Sequence, residues 1–366
     1  MPRAFLRSLQ AMACPARTYP LRQPPNHKPP IPRWQLIWGE NISRVFTAYI
    51  GIQPLGAPKA AVDKAVKDIQ SWLDESSAFK PQAFESFGVI NGDDTQDAKV
   101  WACYWDNEAR GKEGLHRLNL PSIYSTLPSS ERSAIGLWSE SFSTSVSRLE
   151  TNYTGLDYLP GIAKLPGTTT EQHDLTAYWG AARDRIPDSA HDLFEDEDAV
   201  DTKPELAQDP TGKRLLGTNY NNMVHIRSGQ YWETCGPEET ASYENNLEPT
   251  LNNGLQYLWD NRDVSGAMGL RYLRNTDGSD KVLKETCAAG FFCNLRNLEE
   301  WAKSHPSHLA IYTGAIRHAK KFGDERKFRT WHEVSVLKKG EASFEYVNCL
   351  PVTGVIPFLG LQEAPL

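Results

Sequence analysis

The chain has no acidic residue before Glu40, no hydrophobic run near the ~20 residues that a membrane-spanning helix needs, and no Cys-x-x-Cys pair. The missing apolar run excludes a helical membrane anchor. The missing cysteine pair excludes the common zinc and dithiol arrangements. Cys14, Cys103, Cys235, Cys287, Cys293 and Cys349 lie far apart and no signal peptide precedes them, so we expect free thiols in a reducing, cytoplasmic setting. The acid-free opening carries Arg3, Arg7, Arg17 and Arg22, a bias shared with mitochondrial presequences. Its proline-rich stretch from Pro20 to Pro32 is unlike one, and residues 1–39 read instead as an ordered or partner-wrapping arm. Clustered basic surface is also lacking. With a net charge of -7, the chain does not suit nucleic acid, whose phosphates demand such a surface.

What is present is a folded, aromatic-rich composition: 40% hydrophobic and 23% charged residues, with 11 Trp, 14 Tyr and 13 Phe. A small molecule is the expected partner. RVFTAYIGIQ (44–53) and VWACYW (100–105) read as strands. Between them PKAAVDKAVKDIQSWLDE (58–75) sets Val62, Val66, Ile69 and Leu73 on one helical face. ERSAIGLWSESFSTSVSRLE (131–150) reads as a helix followed by a strand. The run 191–213 holds six acids between Asp192 and Asp201 and reads as a solvated loop, because it lacks the glycine and terminal glutamate of a calcium loop. The organisation expected is an arm (1–39), an α+β half (40–190), the acidic loop (191–213) and a second α+β half (214–366).

Four of the nine histidines fall in SHPSHLAIYTGAIRHAKKFG (304–323) and FRTWHEVSVL (328–337). Pro306 suits a first helical turn, Ser304 or Ser307 can cap it, and Gly323 ends the helix. His308, Ile311, Tyr312, Ala315 and Ala319 then share one apolar stripe. The positive end of the helix dipole keeps His308 neutral, the form in which imidazole binds a metal. His305 is expected to bond locally and His318 to be exposed. In the following strand, alternation puts Phe328, His332, Val334 and Val336 on one face and Trp331 and Glu333 on the other. Two imidazoles facing one apolar cavity suit a haem with a proximal and a distal side, held noncovalently because no Cys-x-x-Cys-His occurs. A pair of hydrogen-bonded core histidines accounts for the same spacing.

ETCAAGFF (285–292), LEEWAKSHPSHLAIYTG (298–314), WHEVSVL (331–337), SFEYVNCLP (343–351), YWGAARDRIP (178–187), IRSGQYW (226–232) and CPARTYPLRQPPNHKPP (14–30) resemble the haem-containing aldoxime dehydratases in the same order. The resemblance implies a homodimeric α+β barrel built from two ferredoxin-like halves, related to dye-decolourising peroxidases and chlorite dismutases. It implies ferrous haem b and conversion of R-CH=N-OH to R-C≡N and water, with the oxime nitrogen on the iron. His308 then corresponds to the proximal ligand and His332 to the distal acid and base, while Ser228 and Arg183 orient the substrate hydroxyl and Glu150 aids the proton transfer. Arg185 is the alternative to Arg183; on a strand both would share a face. Without the resemblance the arginines read as surface or ion-paired residues, Ser228 as a turn hydroxyl and Glu150 as a solvated strand end. The acidic stretch is a departure confined to a loop. A peroxidase-like haem enzyme is the runner-up, disfavoured because His332 and Ser228 stand where such enzymes carry Asp and Arg. A non-catalytic haem or gas-binding protein is the third reading.

Overall fold

Strand β2 (Arg44–Pro54) is buried on both faces along nearly its whole length, so its alternation has to be read from what each face touches. Phe46, Ala48, Ile50 and Ile52 pack on Ala61, Ala65, Ile69, Trp72 and Leu73 of the helix Lys59–Asp74. Val45 and Tyr49 face the other way, into an inner core shared with Trp138, Phe142, Phe291 and Trp331. Gly51 on that inner side allows a close approach: a Cβ there would lie 2.0 Å from the Trp138 ring. Strands covered on both faces lose the usual polar alternation, which is why VWACYW is also apolar throughout. This is a computed structural model, and it describes residues 17–195 and 209–366.

The remaining strands are β1 (Trp34–Trp38), β3 (Ala83–Gly92), β4 (Lys99–Trp105), β5 (Ile135–Ser145), β6 (Leu149–Tyr153), β7 (Thr168–Gln172), β8 (Arg214–Thr218), β9 (Met223–Tyr231), β10 (Ala267–Thr276), β11 (Val282–Phe292), β12 (Arg329–Leu337), β13 (Ala342–Val347) and β14 (Gln362–Ala364). All join one sheet in the order β14-β8-β13-β5-β2-β4-β3-β10-β11-β9-β12-β6-β1-β7. Every pairing is antiparallel. Within it, β2, β3, β4 and β5 form one strand-helix-strand-strand-helix-strand unit, and β9, β10, β11 and β12 form another. Both units lie in the order fourth-first-third-second, and they meet edge to edge where β3 pairs with β10. The fold is therefore mixed α+β around a large antiparallel sheet. The halves also exchange edges: β6 lies beside β12, and β13 beside β5.

In the second unit Leu255, Leu258, Trp259, Leu295 and Leu298 cover the outer face of β9 to β12. The helix Pro306–Phe322 ends at Gly323, with φ +52°, as its sequence predicts. Its N-cap, however, is His305, whose ring Nδ1 accepts from the Ser307 N–H at 3.3 Å; neither expected serine serves as the cap. The expected helix at the start of 131–150 is also absent. Only a 3-10 turn, Arg132–Ala134, precedes β5, because Ile135 and Leu137 go to the helix layer while Trp138 and Phe142 go to the inner core, in strand alternation. Among the described residues no helix is long and apolar enough to cross a membrane. Residues 196–208 of the acidic run and residues 1–16 of the arm lie outside the described residues. The described part of the arm packs on its own chain, with the Thr18 and Tyr19 amides donating to the Ala190 carbonyl and His27 bonded to the Thr176 carbonyl at 2.7 Å.

Candidate active site

The helix Pro306–Phe322 buries little of its apolar stripe against protein; only His318 and Ala319 are fully buried. His308, Ile311, Tyr312 and Ala315 instead face a cavity of about 490 Å³. That volume is ordinary for a small-molecule site. The opposite wall is the outer face of β9 and β12, from which Ile226, Ser228, His332 and Val334 project. His308 packs edge-on against the Trp301 ring, with centroids 4.7 Å apart. Burial lowers its pKa to about 4, outweighing the pull of the Ala302 backbone, so the ring is neutral. Its buried Nδ1 has no hydrogen-bond partner among the described residues.

Ser228, His332 and Asn152 lie in register across β9, β12 and β6. They share one face because directly opposed residues point the same way. Asn152 Nδ2 lies 3.0 Å from His332 Nε2, and Asn152 Oδ1 lies 3.2 Å from His173 Nε2. An amide oxygen only accepts, so His173 donates from Nε2 and the amide donates to His332 Nε2. Neutral His332 accordingly carries its proton on Nδ1. Burial, followed by Arg185, Arg33 and His332, lowers His173 to about 3 and keeps that ring neutral. For His332, burial lowers the pKa, Glu150 raises it, and Arg185 and Arg33 lower it, with a net shift downward.

Glu150 is wholly buried behind His332, its Oε1 3.4 Å from the ring Nε2 and 2.5 Å from Arg185 Nε. A solvated strand end is thus not what this carboxylate is. Arg185 lines the cavity, and its terminal nitrogen lies 3.3 Å from His332 Nε2. Arg183 does not reach it: the side chain turns to Glu299 at 2.8 Å and to the Leu193 carbonyl. The pair sits in the short helical turn Ala181–Asp184 and its cap, where two residues span more than half a turn and point apart. The expected common face does not exist. His318, expected to be exposed, is buried between Ser242 and Glu239, at 3.1 and 3.3 Å. His305 bonds locally to Ser307 and stacks on Tyr257, with centroids 3.5 Å apart.

Asn152, His173 and Arg33 were not singled out from the sequence. Asn152 alone carried a usable signal, since it stands two residues from Glu150 in a strand and must share its face. His173 and Arg33 reach the site only because β1 pairs with β7 and β6.

Fold and cavity together define an α+β enzyme with a mostly apolar site that has an imidazole on either wall. The sequence model of the haem-containing dehydratases matches residues 48–355, and the chain belongs to that family, a family of lyases. It is 30% identical over 351 residues to the aliphatic aldoxime dehydratase of Pseudomonas chlororaphis, spanning 94% of this chain and 96% of the relative. It is 29% identical over 341 residues to the phenylacetaldoxime dehydratase of Bacillus sp. (strain OxB-1), spanning 93% and 95%. Among solved structures, an aldoxime dehydratase crystallised with butyraldoxime superposes with a TM-score of 0.80 at 28% identity, over 95% of this chain and 94% of the other. A second aldoxime dehydratase gives 0.81 at 29% identity, over 95% and 96%.

The residues present fit a haem. His308 is a single neutral donor in an apolar wall, and among the described residues no three His, Cys, Asp or Glu side chains converge to hold a bare ion. A lone histidine suits iron whose remaining equatorial ligands come from a porphyrin. The uncovered apolar stripe of the helix lines the same cavity and would give such a ring apolar contact.

Proposed function

We propose that this chain converts aldoximes to nitriles and water, with haem b held by His308 and His332 acting on the substrate. The observation that carries this reading is the placement of the two imidazoles on opposite walls of one apolar cavity. Ferrous haem, when bound, would take the oxime nitrogen and supply electron density to it. The relatives are named for arylacetyl and aliphatic aldoximes, and what those substrates share is the C(H)=N–OH group, the part His332 and Ser228 address.

The difficult step is loss of hydroxide from nitrogen. His332 in its protonated form gives a proton from Nδ1, a ring atom with no protein partner among the described residues, to the departing oxygen, so that water leaves and the remaining ring proton stays on Nε2, 3.4 Å from the Glu150 carboxylate. The same Nδ1 then takes the proton of the C–H bond, and the electron pair of that bond completes the C≡N triple bond. Atoms balance with no net oxidation. Positioned proton transfer of this kind is worth ~10²–10⁴-fold. Ser228, directly across from His332, holds the hydroxyl. In this reading Arg185, rather than Arg183, is the arginine beside the substrate hydroxyl, and it also holds Glu150 and the His332 ring in place, while Glu150 stabilises the imidazolium. Apolar walls exclude water and strengthen each of these interactions.

The same reading takes the two units as ferredoxin-like halves of a dimeric α+β barrel protein. Support for the halves is their common strand order. The test of the reaction is the ultraviolet-visible spectrum of the reduced protein before and after an aldoxime is added, with nitrile followed by chromatography. A spectral change with nitrile release supports it. A haem-loaded, reduced protein that forms no nitrile from aryl or alkyl aldoximes refutes it.

A further inference from the structure

The charges lining the cavity do not balance. Glu299 is taken by Arg183 at 2.8 Å and Arg22 at 3.3 Å, and Arg185 is taken by Glu150. Arg33 and Arg326 line the same cavity without an acidic partner among the described residues. Arg33 donates only to the Pro32 carbonyl, at 3.3 Å, and Arg326 only to the Thr154 carbonyl, at 3.4 Å. The acids that act on Arg326 are engaged elsewhere: Asp157 by Arg329 at 2.5 Å, and Glu239 by His318 at 3.3 Å and the Lys327 and Phe328 amides at 3.0 and 2.9 Å. Two guanidiniums thus stand uncompensated at one apolar cavity.

We propose that Arg33 and Arg326 bind the two propionate carboxylates of the haem, an assignment that rests on the haem reading given above. The number of unmatched positive charges equals the number of carboxylates on one porphyrin. Guanidinium is also the group best shaped to pair with a carboxylate in two parallel hydrogen bonds. Both arginines are held by the backbone. The Arg33 carbonyl accepts from the His173 amide at 3.1 Å, and Arg33 adjoins Trp34, which registers with Tyr153 and Gln172. Arg326 closes the turn after the helix that carries His308, its amide donating to the Gly323 carbonyl at 3.3 Å.

The electrostatics agree with the geometry. Burial, with Arg326 and then Arg185 alongside, lowers Arg33 to about 9. Burial, followed by Arg329, also lowers Arg326. Arginine keeps its proton in proteins, so this destabilisation is relieved by an anion rather than by deprotonation. The N-terminal arm and the second half thereby each supply one side of the cofactor seat.

The test uses the full chain loaded with haem b and, separately, with the dimethyl ester of the same haem, in the parent and in Arg33→Gln and Arg326→Gln. Transfer to excess apomyoglobin is followed by the Soret band. Each substitution is expected to speed haem release roughly 10- to 100-fold, the worth of one hydrogen bond to a charged group. The parent is expected to release the ester faster by roughly the product of the two factors, since the ester lacks both carboxylates, and the substitutions to leave ester release unchanged. The ester arm needs no mutant, so a variant that misfolds does not decide the question. Equal release of haem and ester from the parent overturns the proposal. It is also overturned if both variants keep haem as the parent does but bind an ω-carboxylated aldoxime more weakly, since the arginines then serve a substrate carboxylate. A parent that takes up no haem defeats the functional reading itself, whereas a parent that holds haem and ester alike defeats only this inference.

Discussion

The Asn152 amide nitrogen stands 3.0 Å from Nε2 of His332, in register with it on the neighbouring strand. That contact holds the imidazole so that Nδ1 is left facing the cavity, the orientation the proposed proton transfers need.

Asn152→Ala should therefore lower kcat roughly 10- to 100-fold, the usual cost of losing a partner that orients a functional histidine. Haem content, read from the Soret band, should stay at the parental level. Unchanged kcat would show that the amide does not orient the ring.

Arg185 and Arg183 should behave differently. Arg185→Gln leaves Glu150 buried without its cation, so it should lower kcat and cost about 3–5 kcal/mol in urea unfolding. After Arg183→Gln, Glu299 still has Arg22 at 3.3 Å, and both activity and stability should fall far less. The reverse order would return the role to Arg183.

The pH dependence of kcat follows from the surroundings of His332. As the proposed general acid it must be protonated, so kcat is expected to fall as pH rises through its pKa. Burial lowers that pKa and the Glu150 carboxylate raises it. Glu150→Gln removes the raising influence, so the alkaline fall should begin at a lower pH than in the parent. A limb that stays put or moves upward would detach Glu150 from His332.

Much of this site is legible in the chain because its two histidines sit in strongly periodic elements. His308 follows the helical spacing of Ile311, Tyr312 and Ala315, and His332 alternates with Val334. What sequence reading misses depends on contacts made far along the chain. His318 is buried only because Glu239, 79 residues away, comes to cover it. Arg183 and Arg185 lie in a turn too short to show a period, so nothing local tells which one faces the cavity. The fold divides in the same way. Helix 58–75 is evident from its stripe, whereas 131–150 misleads because β5 is buried on both faces and its alternation separates two apolar layers instead of apolar from polar.

The most direct test of the account is anaerobic turnover of an aldoxime by reduced His332→Ala at matched haem content, with His308→Ala in parallel. The account predicts that His332→Ala keeps its Soret band while nitrile formation falls ~10²–10⁴-fold, and that His308→Ala loses band and turnover together. Nitrile released by His332→Ala at the parental rate would contradict it.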